Sequence, residues 1–163
     1  LNLKEKKFAR DSAIAATTDM LLVSSRGHVF HEEIESLPIV LGDYIESREE
    51  GEEKIDIESF STEYSTRKLV AILEALGLGD DLDRAKMGRK VRAGKGKMRG
   101  RKYKTPKSIL LVVSGKSGLA LAGRNLPGVD VVTVKDLCTE DLAPGGAVGR
   151  LTVFTKKAVS ELS

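Results

Sequence analysis

The chain has 163 residues, 40% hydrophobic, 31% charged and 4% aromatic with no Trp, which fits one domain spanning 1–163 whose core is built from Leu, Val, Ile and Ala. The strongest apolar run, 109–113, is far too short to cross a bilayer, and a single cysteine, Cys138, excludes an intrachain disulfide and suits a reducing cytoplasm. The net charge of +3 is segregated: twelve Lys/Arg and no acid lie in 84–107, leaving 15 basic and 24 acidic residues elsewhere.

In chain order, Asn2 is placed to cap a helix reaching about Thr17, and Asp19 a short second helix that Gly27 ends. The stretch L-P-I-V-L (37–41) reads as a short buried strand with Pro38 near its start, followed by an acidic surface loop over 46–58. Leu69, Ile72, Leu73 and Leu76 recur at helical spacing up to Gly77, and a short acidic turn of helix follows over 80–86. After the cationic segment, S-I-L-L-V-V-S (108–114) has the near-continuous apolar character of a strand buried on both faces. A helix over 117–125 ends at the N-L-P-G turn, 129–134 is the next strand, and Asp136 opens a short helix. The glycine-rich loop 144–149 leads to a strand over 151–155 and a last helix from Lys156. Strand–helix–strand repetition predicts an α/β fold: a mainly parallel sheet with helices on both faces in a Rossmann-like three-layer architecture, plus a glycine-rich basic extended segment. The opening on Leu1 reads as a piece or processed form of a longer protein, and no cleavable leader is evident.

The segment R-K-V-R-A-G-K-G-K-M-R-G-R-K-Y-K (89–104) carries the functional signal. Basic runs are often solvated tails or linkers. Here Gly88, Gly94, Gly96 and Gly100 interleave with the cations, which disfavours a helix and lets the backbone approach a ligand. A segment that repels itself gains from a polyanion, since each neutralised phosphate releases counterions. Tyr103 is available to stack on a base. Nothing resembles a recognition helix, zinc finger or basic zipper, so RNA is favoured over DNA. Glycine content and self-repulsion predict ordering on binding.

Catalytic readings fare worse. Gly115–Lys116–Ser117 follows a strand like the tail of a phosphate-binding loop, but Leu110 stands where that motif needs glycine. A small nucleotide-binding α/β enzyme using this turn is the alternative, and a protein-interaction module recruiting a basic partner through loop 46–58 is another. His28 and His31, beside Glu32 and Glu33, read as a surface turn rather than a metal site. Cys138 reads as a packed small residue. No catalytic residue, metal, cofactor or small-molecule substrate is expected.

The stretches K-E-K-K-F-A-R-D-S-A-I-A-A-T, R-G-H, L-P-I-V, V-R-A-G-K-G-K-M-R-G-R-K, R-N-L-P-G-V and L-A-P-G-G-A-V-G-R-L-T-V-F-T run in order along nearly the whole chain. In them the chain resembles the archaeal and eukaryotic branch of the universal large-subunit ribosomal protein L-four family. The resemblance implies a non-catalytic cytoplasmic protein of the large ribosomal subunit that binds large-subunit ribosomal RNA and supports its folding and assembly beside neighbouring ribosomal proteins. It also implies that a first strand region and a loop reaching the peptide exit tunnel precede this chain in the family, and that a sheet edge is left unpaired without them. Carried over by position, the RNA contacts are Arg89, Lys90, Arg92, Lys95, Lys97, Arg99, Arg101, Lys102 and Lys104, with Gly94 and Gly96 giving close backbone approach. Arg124, Asn125 and Arg150 join them, and Lys6, Lys7 and Arg10 are secondary candidates on a helix where Asp11 departs from the expected basic or neutral residue.

Overall fold

The computed structural model describes residues 2–32, 34–42, 44–45, 55–56, 66–115 and 118–162. Helix α1 (Leu3–Ala15) starts at a capping box in which Asn2 accepts from the Lys4 amide and the Glu5 carboxylate accepts from the Asn2 amide. It stops slightly short of the expected Thr17 because Thr17 and Thr18 turn their hydroxyls back onto the Ile14 and Ala15 carbonyls, both at 2.7 Å. Asp19 caps α2 (Met20–Ser25) as its sequence position predicts, accepting from the Leu21 and Leu22 amides.

Strand β1 (Ile39–Leu41) is followed by a small antiparallel pair, β2 (Tyr44–Ile45) with β3 (Ile55–Asp56). The expected acidic loop 46–58 lies outside the described residues apart from β3, as do Lys116 and Ser117 of the candidate phosphate turn. Next come α3 (Thr66–Ala75), whose Leu69 and Leu73 are fully buried at helical spacing, and α4 (Gly79–Met87). The cationic segment forms an antiparallel hairpin of β4 (Lys90–Val91) and β5 (Tyr103–Lys104). The remainder alternates: β6 (Leu110–Val113), α5 (Gly118–Arg124), β7 (Asp130–Thr133), α6 (Thr139–Leu142), β8 (Thr152–Thr155) and α7 (Lys156–Leu162).

The main sheet has the order β1-β8-β6-β7 and every pairing in it is parallel. Central β6 explains why its sequence lacks alternation. Ile109, Leu111 and Val113 pack into one apolar cluster, while Leu110 and Val112 pack into another on the opposite face. The first cluster takes Val23 from α2, Leu69 and Leu73 from α3, Leu82 from α4 and Leu119 from α5. The second takes Ala13 from α1, Leu142 from α6 and Ala158 from α7. Helices therefore cover both faces, giving the expected α/β layering.

Three local expectations need correction. Asp136 opens no helix: it accepts the Thr133 hydroxyl at 2.7 Å in a turn, and α6 begins after Cys138. Cys138 is exposed rather than packed, with its thiol donating to the Asp141 carboxylate at 3.0 Å and its amide to the same oxygen at 3.1 Å. His28 is no surface residue: it is 6% exposed and hydrogen-bonded to a buried aspartate, whereas His31 is exposed.

Candidate nucleic-acid interface

The cationic hairpin leaves the body where α4 ends and returns just before β6, so it springs from the edge at which the parallel strands begin. At its stem, a Cβ on Gly88 would stand 2.6 Å from Pro106 Cγ and 2.8 Å from the Arg84 carbonyl. Only glycine lets the outgoing and returning chains close that tightly. The ladder pairs Lys90 with Lys104 and Val91 with Tyr103, and continues through the Arg92 amide donating to the Lys102 carbonyl at 2.9 Å. A single 3₁₀ turn, Lys95–Met98, forms the tip. Gly94 enters it at φ +76°, a left-handed conformation open to glycine, with no atom within 4 Å of where a side chain would begin. The Arg99 and Arg101 amides both donate to the Gly96 carbonyl, at 3.1 and 3.2 Å, and close the turn.

Beneath the hairpin lies a buried ionic clamp that sequence reasoning missed. Asp81 is 0% exposed, and its carboxylate accepts from the Arg84 Nε at 2.8 Å, the Val29 amide at 3.1 Å and the Ser108 hydroxyl at 2.5 Å, with His28 Nδ1 at 3.1 Å. Burial is the largest influence and pushes this carboxyl up, but the hydrogen bonds from His28, Arg84 and Ser108 outweigh it and hold the group at about 2. Arg84 also donates to the Lys107 carbonyl at 2.8 Å, so one guanidinium ties α4 to the returning strand of the hairpin. Asp81 sits in an acidic stretch that reads as solvent-facing, and His28 is 53 positions away. No local pattern links them.

Arg150, expected among the RNA contacts, belongs to the same edge, but its side chain turns inward. Its side chain is 0% exposed by residue and its guanidinium donates to Ser108 O at 2.9 Å, Asp141 O at 2.8 Å and Asp130 Oδ2 at 2.6 Å. Burial lowers its pKa from the ordinary value, while Asp130 works in the opposite direction. Asp130 also accepts from Lys107 Nζ at 2.7 Å; burial raises its pKa, but Lys107 and Arg150 leave it below the ordinary carboxylate value. Arg150 thus staples the starts of β6, β7 and β8 together, while residues 145–148 of the glycine-rich loop before it stay exposed and Gly149 packs against Leu22. Arg26 helps by donating to the Pro144 carbonyl at 3.1 Å and to the Ala147 carbonyl.

Arg84 and Lys107 are committed to internal acids, but among the described residues no ion pair engages the other cations of 84–107. Arg89, Lys90, Lys95, Lys97, Arg99, Arg101, Lys102 and Lys104 are exposed, and Arg92 is half-buried. Arg92 Nε is shielded from solvent without an acceptor among the described residues. Lys90 directly opposes Lys104, a like-charge pair that opposes hairpin formation unless an anion lies across it. The hairpin is therefore a rigidly rooted, cation-studded ribbon with no acid of its own.

The whole of residues 1–163 matches the model of the ribosomal protein L4/L1 family. The chain belongs to that family. It is 52% identical over 162 residues to the large ribosomal subunit protein uL4 of Methanocaldococcus jannaschii, covering 99% of this chain and 58% of that protein. Against the proteins of the same name from Pyrobaculum aerophilum and Halobacterium salinarum it is 49% and 46% identical, covering 52% and 59% of their lengths. The chain thus spans rather more than half the length of the curated relatives it matches.

In this L4/L1 family member, α5 runs back across the sheet and ends at Arg124, so exposed Arg124 and Asn125 reach the edge from which the hairpin springs. The turn after them is joined to the hairpin's root, since the Gly128 carbonyl accepts from the Ser108 amide at 2.8 Å. Of the α1 cations, Lys6 and Lys7 are exposed, whereas Arg10 donates to the adjacent Asp11 at 3.4 Å and is partly neutralised by it.

Proposed function

We propose that this chain is an RNA-anchoring part of a large-subunit ribosomal protein, binding large-subunit ribosomal RNA in the cytoplasm and supporting its folding during subunit assembly beside neighbouring ribosomal proteins. The observation that carries this reading is the hairpin itself: among the described residues its exposed cations pair with no acid, and its root is fixed by buried charge. A ribbon so built meets phosphates with little ordering left to do at its base. Within a single domain over 1–163, the segment 84–107 is the contact element. Arg89, Arg92, Arg99 and Arg101 supply forked donors suited to phosphate oxygens, and Lys90, Lys95, Lys97, Lys102 and Lys104 supply mobile point charges. Gly94 and Gly96 leave the tip backbone open to close approach, and Arg124 with Asn125 extend the contact along the same edge. The chain acts by binding and positioning, and no reaction is assigned to it.

The test is competition. The chain is bound to large-subunit ribosomal RNA and challenged with random duplex RNA of equal nucleotide concentration. Retention on ribosomal RNA is expected; equal displacement by either competitor would reduce the hairpin to an unspecific electrostatic patch.

A further inference from the structure

The two faces of the hairpin are chemically unlike. Because side chains alternate along a strand, the directly paired Lys90 and Lys104 share one face, and the directly paired Val91 and Tyr103 share the other. Val91 is 54% and Tyr103 46% exposed, so this apolar pair faces solvent in the middle of the most cationic stretch of the chain. The Arg89 guanidinium lies 4.5 Å from the Tyr103 ring centroid and the Lys102 ammonium 5.5 Å from it. Both cations steady the ring, and a guanidinium plane is itself a surface on which a base stacks.

Resting on the RNA-binding reading above, we propose that the Val91–Tyr103 face is a base-stacking platform. It takes one unpaired nucleobase onto the Tyr103–Arg89 pair while the surrounding cations hold the flanking phosphates. The charge around the pair selects the occupant: an apolar protein surface brought here would bury Arg89, Lys102 and their neighbours without counter-charge. A nucleotide offers a flat apolar face and an anion together. A continuous duplex offers only the anion, because its bases are covered by their own stacking. The ligand is therefore RNA with a bulge, internal loop or single-stranded junction at the hairpin.

The experiment compares two blunt-ended RNA duplexes at one salt concentration, one fully paired and one carrying a single bulged 2-aminopurine. The chain is expected to prefer the bulged RNA by roughly 5- to 150-fold, the range for one base–aromatic stack, with a change in 2-aminopurine fluorescence on binding. Tyr103→Phe keeps the preference, since the ring remains. Tyr103→Leu removes it and the fluorescence change while affinity for the paired RNA stays within about twofold; both variants replace an exposed side chain, and circular dichroism checks the fold. Equal affinity of the unaltered chain for both RNAs, or a preference that survives Tyr103→Leu, overturns the platform but leaves RNA binding standing. Failure to bind either RNA overturns both.

Discussion

Asp81→Asn tests whether the hairpin is rooted as described. The substitution keeps the side chain's shape but removes the charge on which His28, Val29, Arg84 and Ser108 converge. Asparagine has one acceptor oxygen where the carboxylate has two, and its amide group is another donor in a site already full of donors. Removing one partner of a buried charge set costs roughly 3–5 kcal/mol. For a domain of this size that lowers Tm by about 6–20 °C. Part of the cost is pH-dependent. Holding the carboxyl at about 2 instead of its ordinary 3.8 contributes roughly 2–3 kcal/mol at neutral pH. Since the folded value lies below the unfolded one, that contribution is complete above the ordinary value and is lost as pH falls toward and through about 2. Urea unfolding of both proteins at several pH values is the assay. The stability gap between them should be full at pH 6 and narrow toward pH 2, and the Arg92 amide should exchange faster in the variant. A gap below about 1 kcal/mol at pH 6, or one that does not change with pH, would mean that Asp81 does not anchor the hairpin's root.

Arg150→Met is expected to cost roughly 3–5 kcal/mol, because it strips a buried partner from Asp130 and leaves the Ser108 and Asp141 carbonyls without their donor. The salt dependence of RNA binding should be unchanged at a temperature where the variant is folded; a shallower slope would return Arg150 to the RNA surface. Cys138 should alkylate slowly for an exposed thiol, since its hydrogen bond to Asp141, and secondarily burial, push its pKa up. Asp141→Ala should speed iodoacetamide modification at pH 8, and an unchanged rate would contradict that assignment.

The apolar framework was readable because its signals are local. The unbroken run at 109–113 announced a strand buried on both faces, and the spacing of Leu69 and Leu73 announced a helix with one buried stripe. The hairpin's dense, acid-free charge was readable from the sequence alone, although its strand register and its two unlike faces were not. What escaped were polar residues whose burial depends on partners far along the chain. Asp81 sits among acids that normally face water, and only the approach of His28, Arg84 and Ser108 makes its burial tolerable. Arg150 follows three glycines in a loop that reads as surface, yet Asp130 and two carbonyls draw it inside. The same limit produced the misreading of His28. Cys138 went the other way: a small residue type that is often buried stands exposed at a helix start.

Whether the hairpin cations carry the electrostatic part of RNA binding is read from the salt slope. Affinity for large-subunit ribosomal RNA is followed from 50 to 200 mM salt for the unaltered chain and for a variant with Arg92, Lys95, Lys97 and Arg99 all changed to Ala. With ~6–10 phosphate contacts the unaltered chain should lose roughly 10³–10⁵ in affinity over that range on the duplex scale, less on single strands. The variant's slope should be shallower by about 3–4, near one per cation removed, with its fold intact by circular dichroism. A variant that keeps the full slope would place the phosphate contacts elsewhere on the molecule and contradict the account.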